Sequence, residues 1–339
     1  MSLISTMPLP EKIEIHPADG WSALEGLGPG TVLTIGNFDG VHIGHQAILA
    51  AAADLARARR TCLVAMTFEP HPHALLHPQS RPEVLTPLPF KLHLMGLCEV
   101  NKVIVLRSAH ELLTLGPEAF LEQIVASRIR PCAVVEGEDF RFGAHRRGDI
   151  NTLVTFGNRF GIEVMEVNAK QLALSSSKTI RVSSTLIRQM LHLGQVADAA
   201  SALGRPYRLY GRIVPGRGKG RQLGFPTLNL FRPDQVLPAD GAYAGRVLLA
   251  QDQDDLFVGH PALPAVVSIG RAITFGPDNP LLVEAHILEG LDKQAKTQWM
   301  AIDLLQFIRP QQRFESQAAL AKQIGQDCIA ARSILGLRN

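Results

Sequence analysis

The chain changes texture near Gly204, and no other feature restricts its fold as much. Before that point, strand-like and helix-like segments alternate. Val32-Leu33-Thr34-Ile35 is an apolar, β-branched run that reads as a short buried strand. Residues 46–60 are alanine-rich and free of Gly and Pro, which predicts a helix. Strands follow at 62–68, 103–106, 133–135 and 163–167, with helices at 90–98 and at 117–128, the latter with Pro in its first turn. This alternation predicts a mostly parallel sheet covered by helices, with ligands at the strand C-terminal ends. After Gly204 the segments become shorter and β-rich, punctuated by Pro215-Gly216, Gly224-Phe225-Pro226, Asp240-Gly241 and Gly276-Pro277. Strands at 207–214, 243–250, 265–269 and 282–288 suit a small antiparallel β-barrel. Leu320, Ile324, Cys328 and Ile329 recur at helical spacing within 316–335, giving a closing C-terminal amphipathic helix.

At 339 residues the chain accommodates two domains, expected at 1–203 and 204–339. An apolar content of 46% supports substantial cores. The net charge of +3 is too modest to imply nucleic-acid binding. No stretch approaches ~18 uninterrupted apolar residues, so no membrane span is expected. The N-terminus shows no basic segment followed by an apolar run, so no signal peptide is expected. Cys62, Cys98, Cys132 and Cys328 are scattered without a C-x-x-C pair, as suits reduced core thiols in a cytoplasmic protein. Oligomeric state is not legible from the sequence.

One ten-residue run concentrates the chemistry of the first half: Gly36-Asn37-Phe38-Asp39-Gly40-Val41-His42-Ile43-Gly44-His45. It joins the strand at 32–35 to the helix predicted from 46. A strand, a glycine-bearing turn and a helix N-terminus make a cradle for anions. The first helical N–H groups lack internal partners, and the helix dipole favours negative charge there. Gly44 lets a phosphate approach the backbone, while His42 and His45 project donors towards the same space. The arrangement suits attack on a nucleoside triphosphate. The two histidines also suit helix capping, or zinc together with Asp39, although no Cys or carboxylate cluster elsewhere offers the remaining ligands.

The string G-N-F-D-G-V-H-I-G-H-Q contains H-x-G-H, which resembles the nucleotidyltransferase superfamily signature. In full it resembles the bacterial bifunctional riboflavin kinase/FMN adenylyltransferase (FAD synthetase) family. Thr67-Phe68-Glu69-Pro70-His71-Pro72 is similar to that family's T-F-x-P-H-P, and Gly137-Glu138-Asp139-Phe140-Arg141-Phe142-Gly143 to its G-x-D-F-R-F-G. Val182-Ser183-Ser184-Thr185-Leu186-Ile187-Arg188 resembles S-S-T-x-x-R, whose hydroxyls and arginine hold the triphosphate in the family. The resemblance implies a nucleotidyltransferase-type, Rossmann-like α/β domain in which an FMN phosphate attacks ATP and pyrophosphate leaves. It implies catalytic roles for His42, His45 and Arg188. Nucleotide contacts are implied at Gly36, Phe38, Gly44, Ser183, Ser184 and Thr185, and flavin contacts at Asp139 and Phe140. Asn37 and Asp39 are expected to shape the turn, and Ser183 or Ser184 to cap a helix.

In the second half, the glycine-rich, basic run 211–221 leads into Gly224-Phe225-Pro226-Thr227-Leu228-Asn229, which resembles the family's riboflavin kinase hallmark G-F-P-T-x-N. The resemblance implies that Thr227 and Asn229 coordinate Mg²⁺ and ATP phosphate, with Gly216, Lys219, Gly220 and Arg221 lining the phosphates. Glu284, in Val283-Glu284-Ala285-His286, matches the catalytic base, and Arg309, in Phe307-Ile308-Arg309-Pro310, falls on the flavin side. Riboflavin, FMN and ATP are the implied partners. The chain departs from the pattern at Leu228, where a small residue is usual, at Ser268, where Asn is usual, and at 289–299, which lacks the family's D-L-Y-G string. The expected function is both reactions of FAD synthesis, phosphorylation of riboflavin and adenylylation of FMN; the alternative is adenylyl transfer alone beside a weak or inactive kinase-like flavin-binding barrel.

Overall fold

The computed structural model describes residues 14–18, 24, 30–76, 79, 83–107, 113–174, 179–216, 218–231, 233–257, 261–271, 281–289 and 297–337. Arg217, the Gly276-Pro277 turn and most of the 289–299 segment lie outside them. The backbone forms two compact units divided between Ser183 and Ser184.

The first unit is built on six parallel strands: β1 (Glu14–Ala18), β2 (Val32–Ile35), β3 (Leu63–Phe68), β4 (Lys102–Leu106), β5 (Ala133–Gly137) and β6 (Glu163–Val167). Their order is β1-β4-β3-β2-β5-β6. β2, β3 and β5 are buried along almost their whole length because helices cover both faces, which is why they read as unbroken apolar runs. The order runs away from β2 in both directions. The β2–β5 ladder covers only Val32↔Ala133 and Leu33↔Val134, so the C-terminal ends of the two strands part into a crevice. Doubly wound sheets take their ligands at such a reversal.

The covering helices are α1 (Ile43–Arg59), α2 (Pro72–Leu76), α3 (Leu88–Leu97), α4 (Pro117–Phe120) and α5 (Ile150–Phe160). α1 begins at Ile43, ahead of the predicted 46, because His42 acts as its N-cap. Leu49, Ala52, Ala53 and Ala56 form its buried face. The helix predicted at 117–128 is α-helical only at first and continues as a π-helical stretch, Leu121–Ile129. There the Ser127 hydroxyl bonds the Glu122 carbonyl and the Arg130 amide bonds the Val125 carbonyl, both five residues back. Phe120, Leu121, Ile124 and Val125 from this segment meet Leu153 and Phe156 of α5 against Leu33, Ile35 and Val134 of the sheet. A two-stranded antiparallel ribbon, β7 (Gln171–Ala173) and β8 (Thr179–Arg181), ends the unit.

The second unit starts with α6 (Ser184–His192) and α7 (Val196–Leu203). The change of sequence texture predicts a boundary at Gly204, yet the backbone divides earlier because these helices pack onto the β-rich part of the chain. α7 lies against β9 (Tyr207–Val214) and β14 (Trp299–Pro310), and the Ala239 amide donates to the Leu191 carbonyl at the end of α6. Together with β10 (Leu228–Leu230), β11 (Gly241–Ala250), β12 (Leu263–Arg271) and β13 (Leu281–Ile287), these strands form a closed antiparallel barrel in the order β10-β13-β12-β11-β14-β9. Tyr243, Val247, Val267, Ile269, Val283, Ala285 and Leu304 are among its buried side chains. The long β14 is not apparent in the sequence because its apolar run lacks strict alternation, and periodicity alone does not separate such a strand from a buried helix. A one-turn helix, α8 (Lys219–Gln222), follows β9, and α9 (Gln317–Leu335) closes the barrel unit as predicted, with Ser316 as N-cap. Arg309 on β14 fixes α9 by donating from Nε and Nη2 to the buried Asp327 carboxylate, at 2.8 and 2.7 Å. Among the described residues no helix is long and apolar enough to cross a membrane.

Candidate functional site

In the first unit the chemistry gathers at the end of β2. The turn from Gly36 to His42 holds Phe38, Gly40 and Val41 at φ 48°, 87° and 38°, in the left-handed region that non-glycine residues seldom enter. Two anchors sustain it. The Asp39 carboxylate accepts from the Leu85 and Thr86 amides, at 3.0 Å each, and the Thr67 hydroxyl donates to the Asn37 carbonyl at 3.1 Å. Asp39 is therefore turned towards backbone amides, which withdraws it from a zinc arrangement with the two histidines. His42 then reaches the helix start, where its Nδ1 accepts from the His45 amide at 3.3 Å. A neutral ring bonded in this way carries its proton on Nε2, the donor that a phosphate oxygen needs. The His42 and His45 rings stack at 3.6 Å, and Phe38 meets His45 edge-on at 5.3 Å. Phe38 is buried, with its ring beneath Gly36, so it supports the histidines from below. A Cβ at Gly44 would lie 3.1 Å from Nδ1 and Cε1 of His42; the glycine makes room for the imidazole.

The second motif joins the first. His71 Nε2 lies 3.1 Å from the Asn37 side-chain amide, and His71 Nδ1 accepts from the His73 amide at 3.1 Å. The Asn37 atom that faces His71 is its side-chain nitrogen Nδ2. The third motif follows β5 on the other side of the crevice. Phe140 stacks on the buried Phe142 at 5.2 Å, while Asp139 is exposed and paired with Arg181 of β8 at 2.8 Å. The fourth motif straddles the division of the chain. Ser183 closes the first unit, and Ser184, Thr185 and the half-buried Arg188 open α6 in the second.

Two buried ionisable groups here belong to none of the sequence motifs. Lys91 of α3 reaches the Asn37 carbonyl and the Thr67 hydroxyl, at 3.3 and 3.4 Å. Glu136 of β5 accepts from the Ile35 amide at 2.5 Å and the Thr34 hydroxyl at 3.4 Å, where the β2–β5 ladder has stopped. Burial raises its carboxyl well above the ordinary value, the two hydrogen bonds oppose this, and the Asp139 charge adds to it. A charged residue inside an otherwise apolar run, Phe90-Lys91-Leu92 or Val134-Val135-Glu136, is the signal that could have found them.

In the barrel, β10 and β13 set Asn229 opposite Glu284, and β12 sets Ser268 opposite the same residue. The Thr227 hydroxyl lies 3.5 Å from the Glu284 carboxylate. The glycine-rich loop closes on them. A Cβ at Gly216 would lie 2.2 Å from Asn229 Nδ2, and one at Gly220 would lie 2.4 Å from the Phe225 carbonyl and 3.3 Å from the Thr227 hydroxyl. His286, which no sequence pattern marks, fixes the turn before β10: its Nδ1 is 2.8 Å from the Pro226 carbonyl and its ring meets Phe225 edge-on. Gly216, Gly220, Thr227, Asn229 and Glu284 are thus brought together, with Lys219 and Arg221 on α8 beside them. Arg309 is held by Asp327 and lies 5.8 Å from the Phe314 ring.

Known proteins divide along the same lines. An FAD synthetase family model matches residues 27–186 and a riboflavin kinase family model matches residues 203–335. The chain is 35% identical over 309 residues to the bifunctional riboflavin kinase/FMN adenylyltransferase of Escherichia coli (strain K12), covering 91% of this chain and 94% of the relative. It is 31% identical over 322 residues to the protein of the same name from Listeria monocytogenes serovar 1/2a, covering 92% and 94%. Among solved structures it is similar to one titled a macrolide-efflux protein from Streptococcus pneumoniae, with a TM-score of 0.79 and 25% identity over 94% of this chain and 99% of that one.

Proposed function

This chain belongs to the bifunctional riboflavin kinase/FMN adenylyltransferase family and is a bifunctional transferase using ATP; from that premise we propose which residues carry each reaction. Adenylyl transfer is assigned to the crevice beside β2. An FMN phosphate oxygen attacks the α-phosphorus of ATP in line, and the bond to the bridging oxygen breaks to release pyrophosphate. The nucleophile is already anionic, so alignment and charge neutralisation supply the acceleration and no general base is required. His42 Nε2–H, His45 and the first amides of α1, admitted by Gly36 and Gly44, meet the developing charge at the reacting phosphorus. By their resemblance to S-S-T-x-x-R, Ser183, Ser184, Thr185 and Arg188 are assigned the β/γ end, and by theirs to G-x-D-F-R-F-G, Asp139 and Phe140 the flavin.

Riboflavin phosphorylation is assigned to the barrel. The ribityl hydroxyl attacks the γ-phosphorus, Glu284 accepts its proton, and ADP leaves. Gly216, Lys219, Gly220 and Arg221 line the phosphates, and Arg309 lies on the flavin side. The hydroxyl oxygen of Thr227 and the amide oxygen of Asn229, beside the Glu284 carboxylate, are hard donors suited to Mg²⁺. Thr227 and Asn229 would hold the ion, which neutralises triphosphate charge when bound. The cytoplasm is the proposed compartment.

The observation that carries this reading is that each unit holds its own constellation: stacked imidazoles at a helix start in one, and Thr227, Asn229 and Glu284 beneath a glycine loop in the other. Purified protein incubated with riboflavin, ATP and Mg²⁺ should yield FMN and then FAD on chromatographic separation. FMN without FAD would remove the first assignment, and FAD only from supplied FMN the second.

A further inference from the structure

We propose that Lys91 is a positioning residue for adenylyl transfer, acting through the Asn37 turn; the inference rests on assigning that reaction to the crevice beside β2. Its Nζ donates to the Asn37 carbonyl at 3.3 Å and to the Thr67 hydroxyl at 3.4 Å, and that hydroxyl donates onwards to the same carbonyl. Asn37 belongs to the His42/His45 turn, while Thr67 lies next to the end of β3, the strand that leads to His71. One ammonium thus ties the Asn37 backbone carbonyl of one motif to the Thr67 side-chain hydroxyl of the other, and the Asn37–His71 contact completes the loop from the other side.

The site is costly by construction. Lys91 is buried, its nearest carboxylate, Glu69, stands 3.9 Å away and is one-third exposed, and the Asp39 carboxylate is engaged with amides. Burial lowers the ammonium below the ordinary lysine value, while Glu69 and Asp39 hold it up. A buried charge with imperfect pairing detracts from stability, and apolar replacement of such groups is often neutral or stabilising. A charge kept on these terms under a left-handed turn is placed for function. It keeps the strained Phe38–Val41 segment at the height that delivers His42 to the α1 cap.

A positioning role and a structural one differ in what Lys91→Met does. The substitution keeps the aliphatic stem and removes the ammonium. The expected result is that kcat for FAD formation from saturating FMN and ATP falls by about tenfold or more, that riboflavin phosphorylation by the same preparation is unchanged, and that the melting temperature stays the same or rises. Lys91→Ala provides a second route, in which added ethylammonium should restore part of the lost kcat. Wild-type kcat in Lys91→Met, a parallel loss of kinase turnover, or a loss in Lys91→Ala that ethylammonium leaves untouched would overturn the proposal. Absence of FAD formation by the unsubstituted chain would instead overturn the assignment on which it rests.

Discussion

At the residue scale, the sites are set as much by missing atoms as by functional groups. Gly216 is the sharpest case: a Cβ there would lie 2.2 Å from Asn229 Nδ2, so the Asn229 side chain would have to swing away. Gly216→Ala should displace the Asn229 side chain by about an ångström and lower riboflavin kinase kcat/KM by roughly 10²-fold. FAD formation from supplied FMN, assayed on the same sample, should be unaffected; equal loss of both would show that the glycine serves folding alone. The sequence displays these glycines, His42, His45 and Glu284 because they stand in ordered motifs with turn-forming neighbours. Lys91 and Glu136 stand in no motif and show there only as a lone charge in an apolar run. Each sits in an apolar segment, and only the fold shows which backbone groups lie within its reach.

Elements contribute by where they stop pairing. β2 and β5 part after Leu33 and Val134, and the Glu136 carboxyl takes over the Ile35 amide that the ladder leaves behind. Its raised proton affinity means that the folded chain holds a proton which the unfolded chain releases at lower pH. Stability is therefore lost as pH rises from the ordinary carboxylate value up through the folded one. Glu136→Gln keeps an oxygen for the Ile35 amide and removes this titration. Its melting temperature relative to wild type should rise as pH increases above the ordinary carboxylate value, and a difference independent of pH would contradict the assignment. In the barrel, Asp327→Ala would leave the Arg309 guanidinium without its bidentate partner. A loss of about 3 kcal/mol is expected, read as an earlier unfolding transition in denaturant with adenylyl transfer retained. The β/α alternation and the closing helix are legible in the sequence because amphipathic periodicity is local. The π-helical register of Leu121–Ile129 and the barrel strand β14 are not, since backbone hydrogen bonding and double-sided burial decide them.

For the whole molecule, the central claim is that one chain carries two chemistries that do not share reacting groups. FMN is the product of one and the acceptor of the other, so the two halves are joined in function by a diffusible compound. His45→Ala should reduce FAD formation by roughly 10²-fold while sparing riboflavin phosphorylation. Glu284→Gln should reduce phosphorylation by about 10²–10⁴-fold while sparing adenylyl transfer. The change of texture at Gly204 makes this duality readable in the sequence, although the backbone divides before α6 because α6 and α7 pack with the barrel. The most direct measurement is the amount of FAD formed from riboflavin, ATP and Mg²⁺ by each variant alone and by an equimolar mixture. Each alone should form almost none, and the mixture should recover a large part of wild-type FAD formation. Failure of the mixture, with both variants folded and each retaining its own half-reaction, would contradict the claim that the two chemistries are independent.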